Sequence, residues 1–283
     1  MGHHDIAALN RVSWSRPGAD AELGDQGYVD AGERAAFFSA APRVRGQPAI
    51  DIGVGAGRTV SLVRLLTDDY VALDYSPGMV AACRHNHPDI DVRTGDARDL
   101  AGFEDARYGL VLFSFNGIDN IGHDDRPIAF KQLFRVARPG GWMVFSTHNM
   151  EGPSYREVPW RGYRTRGPAW YRAARWLVRL PIQAPRYARR WRNWLRNRRA
   201  NREGNGWGEH ISGPQEFGLV QHYVTLDTLF REVAQAGFRA IEVYSSETGR
   251  RLKPGDDALQ VNTFHVVAQR PVEARLQLVS GGR

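Results

Sequence analysis

The chain has 283 residues, 42% hydrophobic and 24% charged, which is typical of one globular domain, with or without an insertion. Its single cysteine, Cys83, excludes an intramolecular disulfide and a cysteine-based zinc site, and no apolar run reaches the roughly 18 residues of a membrane span. The hydrophobic content disfavours the disordered class, and the lack of an apolar leader at the N-terminus disfavours the secreted class. The formal net charge is +7, and we expect a cytoplasmic protein without a bound metal.

Short strands and helices alternate along the first half of the chain. After a helix at 32–41, apolar runs predict strands at 49–52, 70–73, 90–92, 108–115 and 142–147, with helices at 58–66, 77–85 and 127–137. The pattern stops after His148 and resumes with a helix at 225–236 and strands at 238–244 and 263–268. Such alternation is typical of βαβ units and a parallel sheet.

The interruption is a basic, tryptophan-rich segment. Residues 156–202 contain fifteen Arg, no Lys and one acid, which gives +14 and leaves −7 for the rest of the chain. The segment also holds five of the eight Trp, and its Arg and Trp recur at helical spacing. We therefore expect basic amphipathic helices there.

A glycine-rich loop follows the first predicted strand and precedes a helix. It reads Asp51-Ile-Gly53-Val-Gly55-Ala-Gly57, and glycines in this place let the backbone approach a ligand. Asp74 and Asp96 follow the next two strands, so all three signals fall at one sheet edge, where open α/β sheets bind ligands. The loop lacks the Gly-x-Gly-x-x-Gly spacing of a dinucleotide site, and the carboxylate of Asp51 suits a cationic ligand better than a pyrophosphate.

These motifs together resemble those of class I S-adenosylmethionine-dependent methyltransferases. Residues 51–57 resemble motif I, 71–79 motif II, 95–100 the adenine-contacting segment, 111–116 the motif after strand four and 135–141 the loop before strand five. The resemblance implies an α/β, Rossmann-like, doubly wound and mostly parallel sheet of seven strands, with an antiparallel last strand and a helical basic insertion. The expected divisions are an N-terminal cap (1–45), a cofactor-binding core (46–150), the insertion (151–218) and the end of the core (219–283).

The resemblance also implies roles toward S-adenosylmethionine and its product S-adenosylhomocysteine. Asp51 would face the amino group and Asp74 the ribose hydroxyls, while Asp96 would meet the adenine amino group. The other expected cofactor residues are Gly53, Gly55 and Gly57 beside the methionine part, Arg58 and Tyr28 as candidates for its carboxylate, Tyr75, Met79 and Ala97 around the adenine, and Phe113 and Ser114 at the reactive end.

Three residues are candidates for the chemistry of the acceptor. His123 follows strand four and His148 ends strand five, so either could serve as a general base for a hydroxyl acceptor, and Asn116 follows strand four closely. The absence of Asn-Pro-Pro-Tyr and Pro-Cys after strand four argues against methylation of nucleic-acid bases. Residues 114–119 and 146–149 resemble small-molecule or glycan methyltransferases, which implies transfer to an O or N atom of such an acceptor.

The basic segment allows three interpretations. We favour an active-site lid. The first alternative is contact of residues 164–202 with an anionic membrane, which would place the protein at the inner membrane surface. The second alternative, RNA binding, is the least favoured. Rival functions are a NAD-dependent oxidoreductase and a non-catalytic cofactor-binding module. The acceptor and the oligomeric state stay open.

Overall fold

The computed structural model describes residues 6–16, 28–159, 168 and 184–272. Its helices are α1 (Ile6–Trp14), α2 (Ala31–Val44), α3 (Val60–Arg64), α4 (Pro77–Asn86), α5 (Arg126–Val136), α6 (184–197), α7 (Pro214–Phe217) and α8 (Leu226–Gln235). Its strands are β1 (Ala49–Ile52), β2 (Tyr70–Asp74), β3 (Asp91–Thr94), β4 (Tyr108–Phe113), β5 (Ala137–Asn149), β6 (Arg202–Gly204), β7 (Trp207–Ser212), β8 (Leu219–Val224), β9 (Arg239–Ser245), β10 (Arg251–Leu252) and β11 (Thr263–Gln269).

The central sheet has the order β10-β9-β11-β5-β4-β1-β2-β3. Strands β1 to β5 pair in parallel, whereas β11 lies antiparallel between β5 and β9. The predicted Rossmann-like sheet with an antiparallel last strand is therefore confirmed by β1–β5, β9 and β11, and β10 adds a two-residue edge. Strands β1, β2 and β4 are buried along their whole length, which explains why their sequences are nearly continuous apolar runs.

Two apolar layers cover the sheet, one on each face. Along β4, Val111 and Phe113 pack on the side of α5 and α8, while Leu110 and Leu112 pack on the side of α2 and α4. This alternation follows from the period of two in a strand. The layers hold β1, β2 and β4 in place, so the loops at their carboxyl ends start from a rigid base.

The described part of the insertion is not helical throughout. After α6, the strands β6 and β7 form a hairpin around Asn205-Gly206, and Gly206 adopts a φ of +78°. β7 then pairs antiparallel with β8, whose Tyr223 pairs in parallel with His148 at the end of β5. The insertion thus extends the sheet beyond the carboxyl end of β5. The sequence predicts basic amphipathic helices within 156–202, and residues 160–167 and 169–183 of that segment lie outside the described residues.

Candidate active site

The glycine loop turns back over the end of β1. Gly53, Gly55 and Gly57 have φ values of +66°, +57° and +95°, all in the left-handed region that glycine adopts without strain. A Cβ atom on Gly53 would lie 2.8 Å from Cε2 of Phe113. The loop therefore needs glycine both for its backbone and for the space above β4.

A cavity of about 200 Å³ lies beneath this loop. It is bounded by residues that follow β1, β2, β3 and β4, so it occupies the carboxyl edge of the sheet. Ten of the thirteen predicted cofactor residues line it, namely Gly53, Gly55, Arg58, Asp74, Tyr75, Met79, Asp96, Ala97, Phe113 and Ser114. Asp51, Gly57 and Tyr28 do not appear among the lining residues.

Asp74 is the buried carboxylate of the cavity wall. Its Oδ2 accepts a hydrogen bond from the Gly55 amide at 2.9 Å, and its Oδ1 accepts one from the Ser76 amide at 2.8 Å. Burial raises the pKa of Asp74 to about 6, against backbone hydrogen bonds from Ser76, Gly55 and Tyr75, which lower it. A carboxylate has about four acceptor positions, so acceptor capacity remains for a ribose hydroxyl.

Asp96 also lines the cavity, but its acceptor positions are filled. Oδ1 accepts from the amide and Nε of Arg98, and Oδ2 accepts from Nη2 of Arg98 at 2.8 Å and from Arg11 at 3.2 Å. Although burial alone would raise it, these arginine contacts hold the pKa of Asp96 below its usual value. An adenine amino group would have to replace one of these donors, of which the Arg11 side chain is the more exposed.

Arg58 is paired within the protein. Glu33 of α2 accepts from both Nη atoms, at 2.8 and 2.6 Å, and the carbonyl of Tyr28 accepts from Nη1 at 2.6 Å. Nη2 also lies 3.3 Å from Oγ of Ser114, so the hydrogens on both Nη atoms are used. The cavity wall thus contains an ion pair, whereas the expectation was an arginine open to a carboxylate. Glu33, which the sequence analysis missed, holds that arginine in place.

The structure corrects three predicted positions. Tyr28 is 58% exposed and borders a second cavity, not the one beneath the loop. Gly57 faces α4, where a Cβ atom would collide with His87. Asp51 is buried below the loop, with Oδ2 accepting from Thr59 and Tyr70, so it does not face the cavity directly. Its Oδ1 is buried and has no hydrogen-bond partner among the described residues.

His148 is held by a buried aspartate. Nδ1 of His148 lies 2.7 Å from Oδ2 of Asp119, which also accepts from the His148 amide at 2.7 Å. The other oxygen of Asp119 accepts from Thr147 and from the fully buried Arg126. Four donors therefore surround this carboxylate, and its contact with Nδ1 favours the tautomer of His148 that carries its proton there. Nε2 is left as an acceptor.

Asn116 stands between His148 and the second cavity. Its side-chain Nδ2 lies 3.1 Å from Nε2 of His148, and its backbone amide donates to Ser146 Oγ at 2.7 Å. Asn116 and Phe115 both adopt left-handed φ values, +58° and +51°, a strained arrangement that clusters at functional sites. Phe115 borders both cavities, so the two spaces meet at this turn.

The second cavity has a volume of about 610 Å³ and lies beside the carboxyl ends of β5 and β9. Residues on its wall include Asp30, Asn116, Ser146, Glu247 and His265. Nε2 of His265 lies 3.0 Å from Oδ2 of Asp30, the residue that caps α2. The wall combines these polar side chains with apolar surface from Val29, Ala31 and Phe115, in keeping with an acceptor site beside a cofactor site.

His123, the other candidate base, lies elsewhere. Its ring stacks on Trp207 at 3.7 Å, and its Nδ1 lies 3.2 Å from Nε2 of the buried His222. Burial lowers the pKa of His123. Neither His123 nor His148 borders a described cavity, but His148 contacts Asn116 on the wall of the second one. The described contacts of His123, with Trp207, His222 and Glu209, are with residues that border neither cavity, so His123 lies farther from the site.

Helix α1 closes one side of the cofactor cavity, which no sequence motif indicates. Trp14 and Ala7 line that cavity, and Nε1 of Trp14 donates to Asn120 Oδ1 at 3.0 Å. Asn10, fully buried, exchanges two hydrogen bonds with the backbone of Val220 on β8. The N-terminal cap is thus fastened to the strand that follows the insertion.

Comparison with known proteins agrees with this geometry. A family model described as a methyltransferase domain matches residues 49–141. A demethylmenaquinone methyltransferase of Renibacterium salmoninarum is 35% identical over 39% of this chain and 46% of its own length. A probable S-adenosylmethionine-dependent methyltransferase of Mycolicibacterium smegmatis is 28% identical over 59% of this chain and 63% of its own. The chain thus spans about half to two thirds of the length of these curated relatives.

The fold is also that of solved methyltransferases. The 1,6-didemethyltoxoflavin-N1-methyltransferase of Burkholderia thailandensis, solved with S-adenosylhomocysteine, superposes with a TM-score of 0.57 at 14% identity, over 96% of this chain and 91% of that one. At this identity the likeness concerns the fold alone. The matched domain, the strand order and the glycine loop show that residues 49–141 form a methyltransferase domain, similar to those of the class I S-adenosylmethionine-dependent enzymes.

Proposed function

We propose that the protein methylates a hydroxyl group of a small molecule, with His148 as the general base. The observation that carries this proposal is the His148–Asp119 pair at the carboxyl end of β5. A hydroxyl acceptor needs a base that removes its proton, whereas an amine acceptor needs only to be unprotonated. Transfer to an oxygen atom is therefore favoured over transfer to nitrogen, and a glycan hydroxyl would satisfy the same chemistry.

The cofactor would lie in the cavity beneath the glycine loop. Asp74 would accept hydrogen bonds from the ribose, and the flexible turn at Gly53 would leave room for the methionine part. Bound S-adenosylmethionine supplies a methyl group on a sulfonium sulfur, which keeps the electron pair of the broken bond. We assign Arg58 a structural role in place of the predicted contact with the cofactor carboxylate, because Glu33 and Tyr28 occupy both of its Nη atoms.

The acceptor would occupy the second cavity, next to Asn116. The hydroxyl of the acceptor would take the place of the side-chain amide of Asn116 at Nε2 of His148. The hydroxyl proton would pass to Nε2 as the acceptor oxygen bonds to the methyl carbon. Asp119 would stabilise the resulting imidazolium through its contact with Nδ1. The loop that carries Asp119 is fixed by the insertion, because Glu209 of β7 accepts from the His123 amide at 2.7 Å. This contact supports the lid interpretation of the insertion.

The small-molecule class has independent support. Relatives named demethylmenaquinone methyltransferase match 39% and 42% of the chain, and a structural neighbour is named for 1,6-didemethyltoxoflavin. The second cavity, at about 610 Å³, is of the size that small ligands occupy.

The test uses S-adenosylmethionine with a tritiated methyl group and a panel of phenols, quinols, sugars and amines. We expect transfer to hydroxyl compounds, a loss of roughly a hundredfold or more in turnover for His148→Gln, and unchanged affinity for S-adenosylhomocysteine. His123→Gln is the matched control and should keep turnover. Transfer to amines alone, or a His148→Gln variant with normal turnover, would contradict the proposal. Calorimetric titration with NAD tests the oxidoreductase alternative, for which no binding is expected.

A further inference from the structure

Helix α6 docks on the protein with two buried asparagines and one tryptophan. Asn193 and Asn197 are 1% and 3% exposed, and their Nδ2 atoms each donate to a backbone carbonyl, of Glu216 and Phe217, at 3.1 Å. Trp194 packs against the apolar cluster that contains Phe217. The docked side of α6 is thus held by hydrogen bonds and by one aromatic contact.

The opposite side of α6 is apolar and exposed. Ala184, Ala188, Trp191 and Leu195 follow one another at spacings of four, three and four residues, which places them in one stripe. All four are exposed, Trp191 by 42% and Leu195 by 50%. A helix on the surface of a soluble protein normally turns such a stripe toward the core. In α6 this stripe faces outward, while Asn193, Asn197 and Trp194 make the contacts with the body.

Arginines border this stripe. Arg192 lies beside the stripe on α6, and Arg198 and Arg199 follow it directly in the 3₁₀ turn Arg198–Ala200, all exposed. They belong to the segment 156–202, whose net charge is +14 against −7 for the rest of the chain. An apolar stripe with arginines along its edges matches a surface that is apolar within and anionic outside.

We propose that α6 is an interfacial helix that lies on an anionic phospholipid bilayer, with the stripe Ala184–Ala188–Trp191–Leu195 in the headgroup–acyl boundary and its flanking arginines on lipid phosphates. Across the described ranges 6–16, 28–159 and 184–272, no helix has the length and apolarity that a membrane span requires. Contact with lipid rather than RNA is favoured because two alanines and a leucine in the stripe offer no ring for base stacking. The proposal is independent of the base assigned above.

The test is flotation of the full chain with vesicles of phosphatidylcholine, with and without phosphatidylglycerol. We expect binding to the anionic vesicles alone, weakened by added salt. Trp191→Ser with Leu195→Ser should reduce partitioning at least about tenfold, since both side chains lose their burial in lipid. Arg192→Gln with Arg199→Gln should reduce it by about fivefold per arginine.

Matched controls come from exposed positions elsewhere. Phe38→Ser on α2, where Phe38 is 78% exposed, and Arg231→Gln on α8 should bind as the wild type does. Binding by the His148→Gln variant should also be unchanged, which separates this proposal from the catalytic one. Quenching of tryptophan fluorescence by brominated lipid should decrease in Trp191→Phe while partitioning is kept.

Four results would overturn the proposal. These are a full chain that never floats with anionic vesicles, equal loss in the controls, normal binding by the Trp191→Ser/Leu195→Ser variant, and binding of single-stranded RNA in place of vesicles. If vesicles do not bind and Trp191→Ser/Leu195→Ser lowers the melting temperature, the stripe packs within the chain and the proposal also fails.

Discussion

Replacing Asp74 with Asn should weaken the binding of S-adenosylhomocysteine. The carboxylate of Asp74 accepts from the amides of Gly55 and Ser76, at 2.9 and 2.8 Å, and lines the cavity beneath the glycine loop. An asparagine keeps one acceptor oxygen but turns its NH₂ toward one of these two amides. The ribose hydroxyls would lose a charged acceptor, and a hydrogen bond to a charged group contributes about 1.5–3 kcal/mol. The expected loss is about tenfold to a hundredfold in affinity.

The same substitution should remove a pH dependence. Burial raises the pKa of Asp74 to about 6, so the free protein takes up a proton on this carboxylate below that pH. Because the ligand needs the ionised acceptor, affinity of the wild type should be constant above about pH 7 and fall by up to about tenfold per pH unit below pH 6. Asp74→Asn has no such group and should show a flat profile.

Calorimetric titration with S-adenosylhomocysteine between about pH 5 and 8 measures both effects without turnover. Asp69→Asn is the matched control, since Asp69 lies just before the other end of β2 and its side chain is 53% exposed. It should keep the affinity and the pH profile of the wild type. A wild-type affinity that does not change between about pH 5 and 7, or normal binding by Asp74→Asn, would refute the assignment.

Three other substitutions test the loop and the base. In urea unfolding, Asp51→Asn should stabilise the protein by up to ~3 kcal/mol at pH 7 but not at pH 4. The reason is that burial raises the pKa of Asp51 to about 6, so the stability of the wild type falls as the pH rises from about 4 through 6. Gly53→Ala should cost ~1–2 kcal/mol through its left-handed φ and reduce affinity for S-adenosylhomocysteine, since the new Cβ would meet Phe113 at 2.8 Å. Asp119→Asn should lower turnover roughly a hundredfold or more and leave that affinity unchanged, because His148 loses the acceptor that fixes its tautomer.

The cofactor cavity was predictable because its parts are local in sequence. Each element of it follows a strand directly, and parallel strands bring their carboxyl ends to one edge. Glycines at 53 and 55 and the acid at 74 could therefore be placed without knowing any long-range contact.

Pairings between distant residues could not be predicted in the same way. His148 and Asp119 are 29 residues apart, and Arg58 and Glu33 are 25 apart, so no helical or strand period links either pair. For Asp51 the motif allowed a contact with the amino group either directly or through water, because it gives the position of a residue but not the direction of its side chain; the buried side chain leaves the route through water as the prediction. The β6–β7 hairpin did have a signal, since Asn205-Gly206 is a favoured two-residue turn.

Arg126 shows how far the site depends on groups that no motif marks. It is fully buried, and it donates to Asp119 at 3.1 Å and, through Nε and Nη2, to Glu232 of α8 at 2.9 and 3.0 Å. Arg126→Met would leave the buried Asp119 without a cationic partner, which costs about 3–5 kcal/mol. Glu232→Gln removes a partner whose side chain is 17% exposed and should cost less.

Urea unfolding of the two variants at neutral pH compares these costs directly. A larger loss for Arg126→Met, accompanied by lower turnover in the folded protein, is expected if the arginine holds Asp119 in place beneath His148. Equal losses in stability with turnover unchanged in both variants would mean that Arg126 only joins α5 to α8. In that case Thr147 and the backbone would be sufficient to orient the aspartate, and the base would be positioned by β5 alone.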